Sequence, residues 1–337
     1  MTRRVAAVDC GTNSLRLLVA DVDLDREDLT DLTRRMEIVR LGEGVDKTGR
    51  LASAALARTI GVLREYADVI AGFAAQSVRM VATSATRDAG NAAEFVGRVS
   101  DVLGVAPEVL TGAEEAMLSF TGATAELAAD DGGPFLVADI GGGSTEFVLG
   151  PGGPGGPGGM GGGQPPVTGG GLGGIVPPGY SATSVNIGCV RMTERHLRGD
   201  PPTAREVAAA TADIDAALDA VADAVPVGEA KTLVGLAGSV TTVAAIAIGL
   251  PGYDAARIHH ARISAADVHA VTLALLSQNR TVRAGIGVMH PGRVDVIGGG
   301  ALVLDRVMDR FGFSEVLVSE HDILDGIAWS LARDSCA

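Results

Sequence analysis

Lysine is nearly missing from this chain: of 27 basic residues only Lys47 and Lys231 are lysine. Positive charge is short overall, because 41 acidic residues leave a net charge of −14. Such a surface does not attract nucleic acid or an anionic membrane, so neither is expected as a partner. Cysteine is scarce as well. Cys10, Cys189 and Cys336 lie far apart with no CxxC pair, which fits a reducing cytoplasm. No unbroken apolar run is long enough for a bilayer. The longest, Leu233 to Leu250, is interrupted by Gly238, Ser239, Thr241 and Thr242 and reads as strand, turn and helix. Behind Arg3-Arg4 there is no leader-type apolar region, since Asp9, Asn13 and Arg16 break it. A P-loop is also missing: GEGVDKTG (42–49) carries Asp46 where the pattern needs glycine before the lysine. A cytoplasmic chain remains, 337 residues long with mean hydropathy +0.28, enough for two domains with good cores.

What the chain does have is glycine between acidic residues at the ends of apolar strands. Phe135 to Leu149 reads FLVADIGGGSTEFVL. The apolar run from Phe135 is a buried strand that ends in Asp139. Gly141, Gly142 and Gly143 let the backbone turn sharply and bring its N–H groups close to a ligand. With Ser144 they form a nest suited to an anion. Asp139 and Glu146 supply hard oxygen atoms for Mg²⁺ or Mn²⁺. Val5 to Leu18 repeats the plan, with a strand, Asp9, the turn Gly11-Thr12-Asn13-Ser14, and a second strand over Leu15 to Val22. One copy alone could be an ordinary β-hairpin. Two copies that both keep the aspartate at the strand end argue for an internal duplication facing a central cleft.

Further along, Arg34 to Leu41 reads as a third strand, and Ala52 to Ala75 as an amphipathic helix. Val78 to Thr83 is a short strand ending at Ser84-Ala85-Thr86-Arg87, where hydroxyls and a guanidinium suit phosphate oxygens. An N-cap with a solvated arginine is the plain alternative there. Thr111 and Glu114 form a plausible capping box, so of Glu114 and Glu115 one is structural. Residues 150–179, rich in glycine and proline, cannot bury enough surface to order themselves and read as a disordered insertion. Ser184 to Ile187 is a strand, and Gly188 opens a helix to about Leu197 whose Arg191 suits either a phosphate or the surface. Thr203 caps a helix over about 204–224. Thr232 to Ala237 ends in Gly238 and Ser239, a third strand–glycine–hydroxyl turn opening a helix. His259 and His260 should point in different directions, as lone surface rings without a metal partner. Gly298-Gly299-Gly300, between apolar runs, suits either close approach to a nucleoside or simply the packing of helix on strand.

The segments DCGTNSLRLLVADV and DIGGGSTEFVLG resemble the two phosphate motifs of the actin/Hsp70/sugar-kinase superfamily. More narrowly, they resemble the exopolyphosphatase/guanosine pentaphosphate phosphohydrolase family. RLGEGVDKTGRL (40–51), VATSATRDAGN (81–91), VLTGAEEAML (109–118), SVNIGCVRMTERHL (184–197), LAGSVTT (236–242) and RVDVIGGGALVL (293–304) extend the likeness through almost the whole chain. The resemblance implies an α/β fold of two actin-like (ribonuclease H-like) domains, each a mixed five-stranded sheet flanked by helices. Their expected bounds are 1–127 with a returning C-terminal segment 320–337, and 128–319. It implies Glu115 as the general base. Thr12, Asn13, Ser14, Arg16, Ser84, Arg87, Gly141, Gly142, Gly143, Ser144, Gly238 and Ser239 would bind phosphate. Asp9, Asp139 and Glu146 would hold the metal. Serine at 239 keeps the hydroxyl of the threonine that many relatives carry.

The implied activity is release of terminal phosphate from inorganic polyphosphate by a homodimer. Guanosine pentaphosphate is the alternative substrate, because both end in a phosphoanhydride. The larger relatives' C-terminal helical domains are not seen in this chain, which suggests a narrower substrate range. An actin-like nucleotide-binding regulator without hydrolase activity is the competing class, and the EEA segment at Glu114-Glu115 weighs against it. A sugar kinase would need a catalytic aspartate and sugar pocket that the sequence does not point to.

Overall fold

The computed structural model describes residues 2–127, 132–152 and 176–334. The chain forms two compact units: one holds the residues up to Glu126 together with those from Asp322 on, the other Leu127–Gly152 and Val176–His321. Residues 153–175 of the glycine- and proline-rich insertion fall outside the described residues.

In the first unit, β1 (Thr2–Cys10), β2 (Ser14–Asp23), β3 (Asp28–Ile38), β4 (Ser77–Ala82) and β5 (Glu108–Val109) form a sheet of order β3-β2-β1-β4-β5. β1 runs antiparallel to β2 and parallel to β4. Both faces are covered, so alternate residues enter different cores. Ala6, Val8 and Cys10 pack with Leu56, Leu63 and Tyr66 of the helix Ser53–Phe73, and the Tyr66 hydroxyl donates to the Leu15 carbonyl at 3.0 Å. Val5 and Ala7 pack instead with Leu118, Ile327 and Trp329. Those belong to the helices Gly112–Thr124 and Ile323–Asp334, which approach closely because of two glycines. A Cβ on Gly122 would lie 1.8 Å from the Asp322 carbonyl oxygen, and one on Gly326 2.1 Å from that of Leu118.

In the second unit, β6 (Phe135–Ile140), β7 (Thr145–Gly150), β8 (Ser181–Val185), β9 (Thr232–Leu236), β10 (Arg262–Ser264) and β11 (Glu315–Val318) are ordered β10-β11-β9-β6-β7-β8. Strands β8-β7-β6-β9-β11 repeat the directions of β3-β2-β1-β4-β5. The five-stranded plan is therefore present twice, and three-residue β10 is added antiparallel at the second edge. β6 and β7 are buried throughout. Burying a side chain such as Phe147 contributes about 1.5–3 kcal/mol. Among the described residues no helix is long and apolar enough to cross a membrane.

Three expectations shift. β3 lies at Asp28–Ile38 rather than Arg34–Leu41, because its polar first half pairs with β2 as an edge strand. Val39 and Arg40 leave the sheet and donate their N–H groups to the Asn13 carbonyl. β8 ends at Val185, two residues early, where the Ile187 N–H turns back to the Val185 carbonyl. Gly298–Gly300 sit inside the helix Ile297–Phe311 and pack on helices, not on a strand: Gly299 meets Cys189 and Thr193, and Gly300 meets Ser239.

Candidate active site

Each unit places its chemistry at the carboxyl ends of its parallel strands, where a mixed sheet leaves room for ligands. In the first unit, Asp9 lies opposite Arg16 across the β1–β2 hairpin. The turn between them closes with a bond from the Gly11 N–H to the Ser14 carbonyl at 3.0 Å. In the second unit, Asp139 lies opposite Glu146 in the same register of β6 and β7. There the Gly141 N–H reaches the Ser144 carbonyl at 3.1 Å.

The carbonyls of both turns are held from behind. Thr12 accepts from the Gly42 N–H, and Asn13 from those of Val39 and Arg40. Gly141 accepts from Cys189, Gly142 from Val190 and Arg191, and Gly143 from Gly188. Among the described residues the only cis peptides are at 133–134 and 200–201. In a trans peptide the C=O and the next N–H point to opposite sides. The N–H groups of Gly142, Gly143 and Ser144 therefore face away from the segment that holds the carbonyls, and none donates to a backbone carbonyl among the described residues. That is an anion nest. Glycines permit the close approach behind each turn. A Cβ on Gly42 would meet Thr12 Cγ2 at 2.3 Å, and one on Gly188 would meet the Gly142 carbonyl at 2.3 Å.

The side chains around the first turn form a network. Arg16 donates through Nε and Nη2 to Asp9 Oδ2 at 3.0 and 2.6 Å, and through Nη1 to Asp322 Oδ2. The sequence expectation of Arg16 as a phosphate ligand thus meets a guanidinium already bridging two carboxylates. Asp322 also accepts the Leu324 N–H and so starts the C-terminal helix. Burial pushes the Asp9 carboxyl above its ordinary range, against the opposing charge of Arg16. Asp9 Oδ1, Thr12 Oγ1 and Thr86 Oγ1 are buried with no hydrogen-bond partner. Buried polar atoms are normally paired, so these three mark where something polar belongs.

Ser84 and Arg87 sit on the short helical turn after β4. Arg87 Nη1 donates to the Leu110 carbonyl at 2.8 Å and to Glu115 Oε2 at 3.1 Å. Among the described residues its Nε and Nη2 have no hydrogen-bond partner. Thr111 and Glu114 form the full capping box of the helix Gly112–Thr124. Glu114 is thereby held as the structural member of the pair, and Glu115 is buried beside Arg87.

In the second unit, Glu146 Oε1 accepts from the Ser184 hydroxyl at 2.7 Å. Asp139 and Glu146 are both buried, acidic and directly opposed. Like charges directly opposed on a hairpin repel, so the pair depends on positive charge nearby. β9 pairs Leu236 with Asp139, so the Gly238–Ser239 turn, which opens the helix Ala237–Ala247, adjoins the end of β6. Two residues here go beyond the sequence reading. Arg293 packs its guanidinium on Gly238, where a Cβ would meet Nη2 at 2.2 Å, and donates to the Thr242 hydroxyl at 3.3 Å. Arg191, read as a phosphate or surface residue, is buried with Nε on the Gly143 carbonyl at 2.7 Å. His259 and His260 also depart from expectation. Their rings stack at 3.8 Å, with His260 at φ 60°, and His321 joins His259 at 4.6 Å.

Residues 18–334 match the model of the Ppx/GppA phosphatase family. The chain belongs to that family. It is 48% identical over 340 residues to exopolyphosphatase 2 of Mycobacterium tuberculosis, covering 98% of each chain. Its structure is similar to that of an exopolyphosphatase-like protein, with TM-score 0.88 and 41% identity over 100% of this chain and 99% of that one. It is also similar to the Aquifex aeolicus PPX-GPPA enzyme, with TM-score 0.74 and 29% identity over 97% and 99% of the two chains.

Proposed function

We propose that this protein is an exopolyphosphatase that hydrolyses the terminal phosphate of inorganic polyphosphate. The near end-to-end likeness to an exopolyphosphatase supports the substrate. The observation that carries the reaction is the split between two neighbouring glutamates: the capping box takes Glu114, and Glu115 is left buried beside Arg87. Phosphoryl transfer needs chiefly positioning and charge neutralisation. Thr12, Asn13, Ser14 and Ser84, the nest of Gly141 to Ser144, and Gly238 with Ser239 hold phosphate oxygens. Arg87 offers its remaining donors to phosphate and orients Glu115, while Arg16 fixes Asp9. Glu115 accepts the proton of the attacking water.

The donor set fits a divalent ion. Asp139 and Glu146 are buried hard-oxygen donors opposed across β6 and β7, and Asp9 keeps one orphaned oxygen. When bound, Mg²⁺ or Mn²⁺ would neutralise charge on the phosphate oxygens. The reading includes a cytoplasmic homodimer without nucleic-acid or membrane partners, in keeping with the net charge of −14.

The test is phosphate release from short polyphosphate, long polyphosphate and guanosine pentaphosphate, each with Mg²⁺ or EDTA, for wild type and Glu115→Gln. Metal-dependent release from polyphosphate, lowered about 10²–10⁴-fold in the variant, is expected. Preference for guanosine pentaphosphate would replace the substrate, and no release from any of the three would overturn the hydrolase reading.

A further inference from the structure

The two turns are held from behind by different donors. In the first, the Asn13 carbonyl accepts two backbone N–H groups, from Val39 at 3.0 Å and Arg40 at 2.9 Å. In the second, the corresponding Gly143 carbonyl accepts one backbone N–H, from Gly188 at 3.3 Å, and a guanidinium, Arg191 Nε at 2.7 Å. The side-chain bond is the shorter of the two and is charge-assisted. Arg191 is only 9% exposed, on the helix Cys189–Arg195, whose first residues also hold the Gly141 and Gly142 carbonyls. Gly299 and Gly300 let the helix Ile297–Phe311 press against Cys189, so the segment behind the turn is itself backed.

We infer that Arg191 is a positioning residue for phosphate: by holding the Gly143 carbonyl it aims the Ser144 N–H at the bound anion and strengthens it as a donor. The carbonyl and that N–H belong to one peptide group. Withdrawing electron density from its oxygen makes the amide hydrogen more positive, and hydrogen bonds in series reinforce one another in a low-dielectric site. The guanidinium charge also lies behind a nest built to receive anions. Arg191 acts through the peptide and has no assigned contact with substrate. The inference rests on the phosphate-binding reading of the second turn.

The experiment measures inorganic phosphate binding by calorimetry, and kcat and KM on polyphosphate, for wild type, Arg191→Met, Arg191→Lys and Arg191→Gln, with a thermal midpoint for each. Arg191→Met is expected to weaken phosphate binding about 10-fold and to raise KM by a similar factor, with a smaller change in kcat. Arg191→Lys, which keeps the charge, is expected to recover most of the affinity. A role in folding alone would lower the midpoint of Arg191→Met and leave phosphate affinity unchanged, and that result overturns the inference. If Arg191→Met does not fold, Arg191→Gln carries the test. It keeps an N–H donor without the charge, and wild-type phosphate affinity in it overturns the inference too. A wild-type protein that binds phosphate but releases none from polyphosphate overturns the functional reading alone, because the binding series still decides the role of Arg191.

Discussion

The hairpins β1–β2 and β6–β7 share strand directions, turn length and the position of the aspartate, yet they solve the charge of that aspartate differently. Asp9 faces Arg16, which neutralises it within the protein and ties it to Asp322. Asp139 faces Glu146, so the second hairpin doubles the negative charge at the matching place. A buried arginine–carboxylate pair holds geometry within the protein, whereas two opposed carboxylates set hard oxygen donors side by side. The duplication thus places different side chains on one backbone plan. In the proposed reading the first hairpin anchors, and the second supplies oxygen atoms to metal while its glycine turn takes phosphate.

The largest expected effect comes from the glycines behind the turns. Gly188→Ala drives a Cβ into the Gly142 backbone, which cannot rotate away, and should destabilise the protein by about 3 kcal/mol and abolish turnover. Gly42→Ala meets side chains rather than backbone, the Thr12 methyl at 2.3 Å and Ala85 Cβ at 3.1 Å, and should be milder. Urea midpoints of the pair check this, and equal losses would break the proposed difference in rigidity. A middle-sized effect concerns pH. Burial holds the Asp9 carboxyl above its ordinary range in the folded protein, so the unfolded chain releases this proton first as pH rises. Its contribution to stability thus falls as pH rises from the unfolded value through the folded one. Metal-free Asp9→Asn should lose that fall, seen as a flatter dependence of the urea midpoint on pH. An unchanged pH dependence would mean that burial does not govern Asp9. The smallest effect separates fold from function. Thr111→Ala and Thr203→Ala each remove one capping box and should cost about 1 kcal/mol. Only Thr111→Ala should also lower kcat, since its helix carries Glu115.

The duplicated hairpins were legible in the sequence because their pattern is local: aspartate, one residue, glycine and hydroxyls, then a second apolar run. The capping box at Thr111 was legible for the same reason. What escaped depends on contacts distant in the chain. Asp322 meets Arg16 across 306 residues, and nothing near Arg16 announces it. Arg191 sits 48 residues from the carbonyl it holds. The glycines at 298–300 read as a strand-side contact because periodicity cannot tell which element will face them. β3 was misplaced since its polar edge face hides the alternation that marks half-buried strands. Regular helix or strand geometry would make the rings of His259 and His260 diverge, and the left-handed φ of His260 brings them together instead.

The most direct test of the division between the hairpins is Mn²⁺ affinity, read by electron paramagnetic resonance, in wild type, Asp9→Asn, Asp139→Asn and Glu146→Gln. The account predicts that Asp139→Asn and Glu146→Gln each weaken binding by at least about 10-fold, and that Asp9→Asn weakens it less than either. Binding lost in Asp9→Asn and kept in both second-hairpin variants would contradict it.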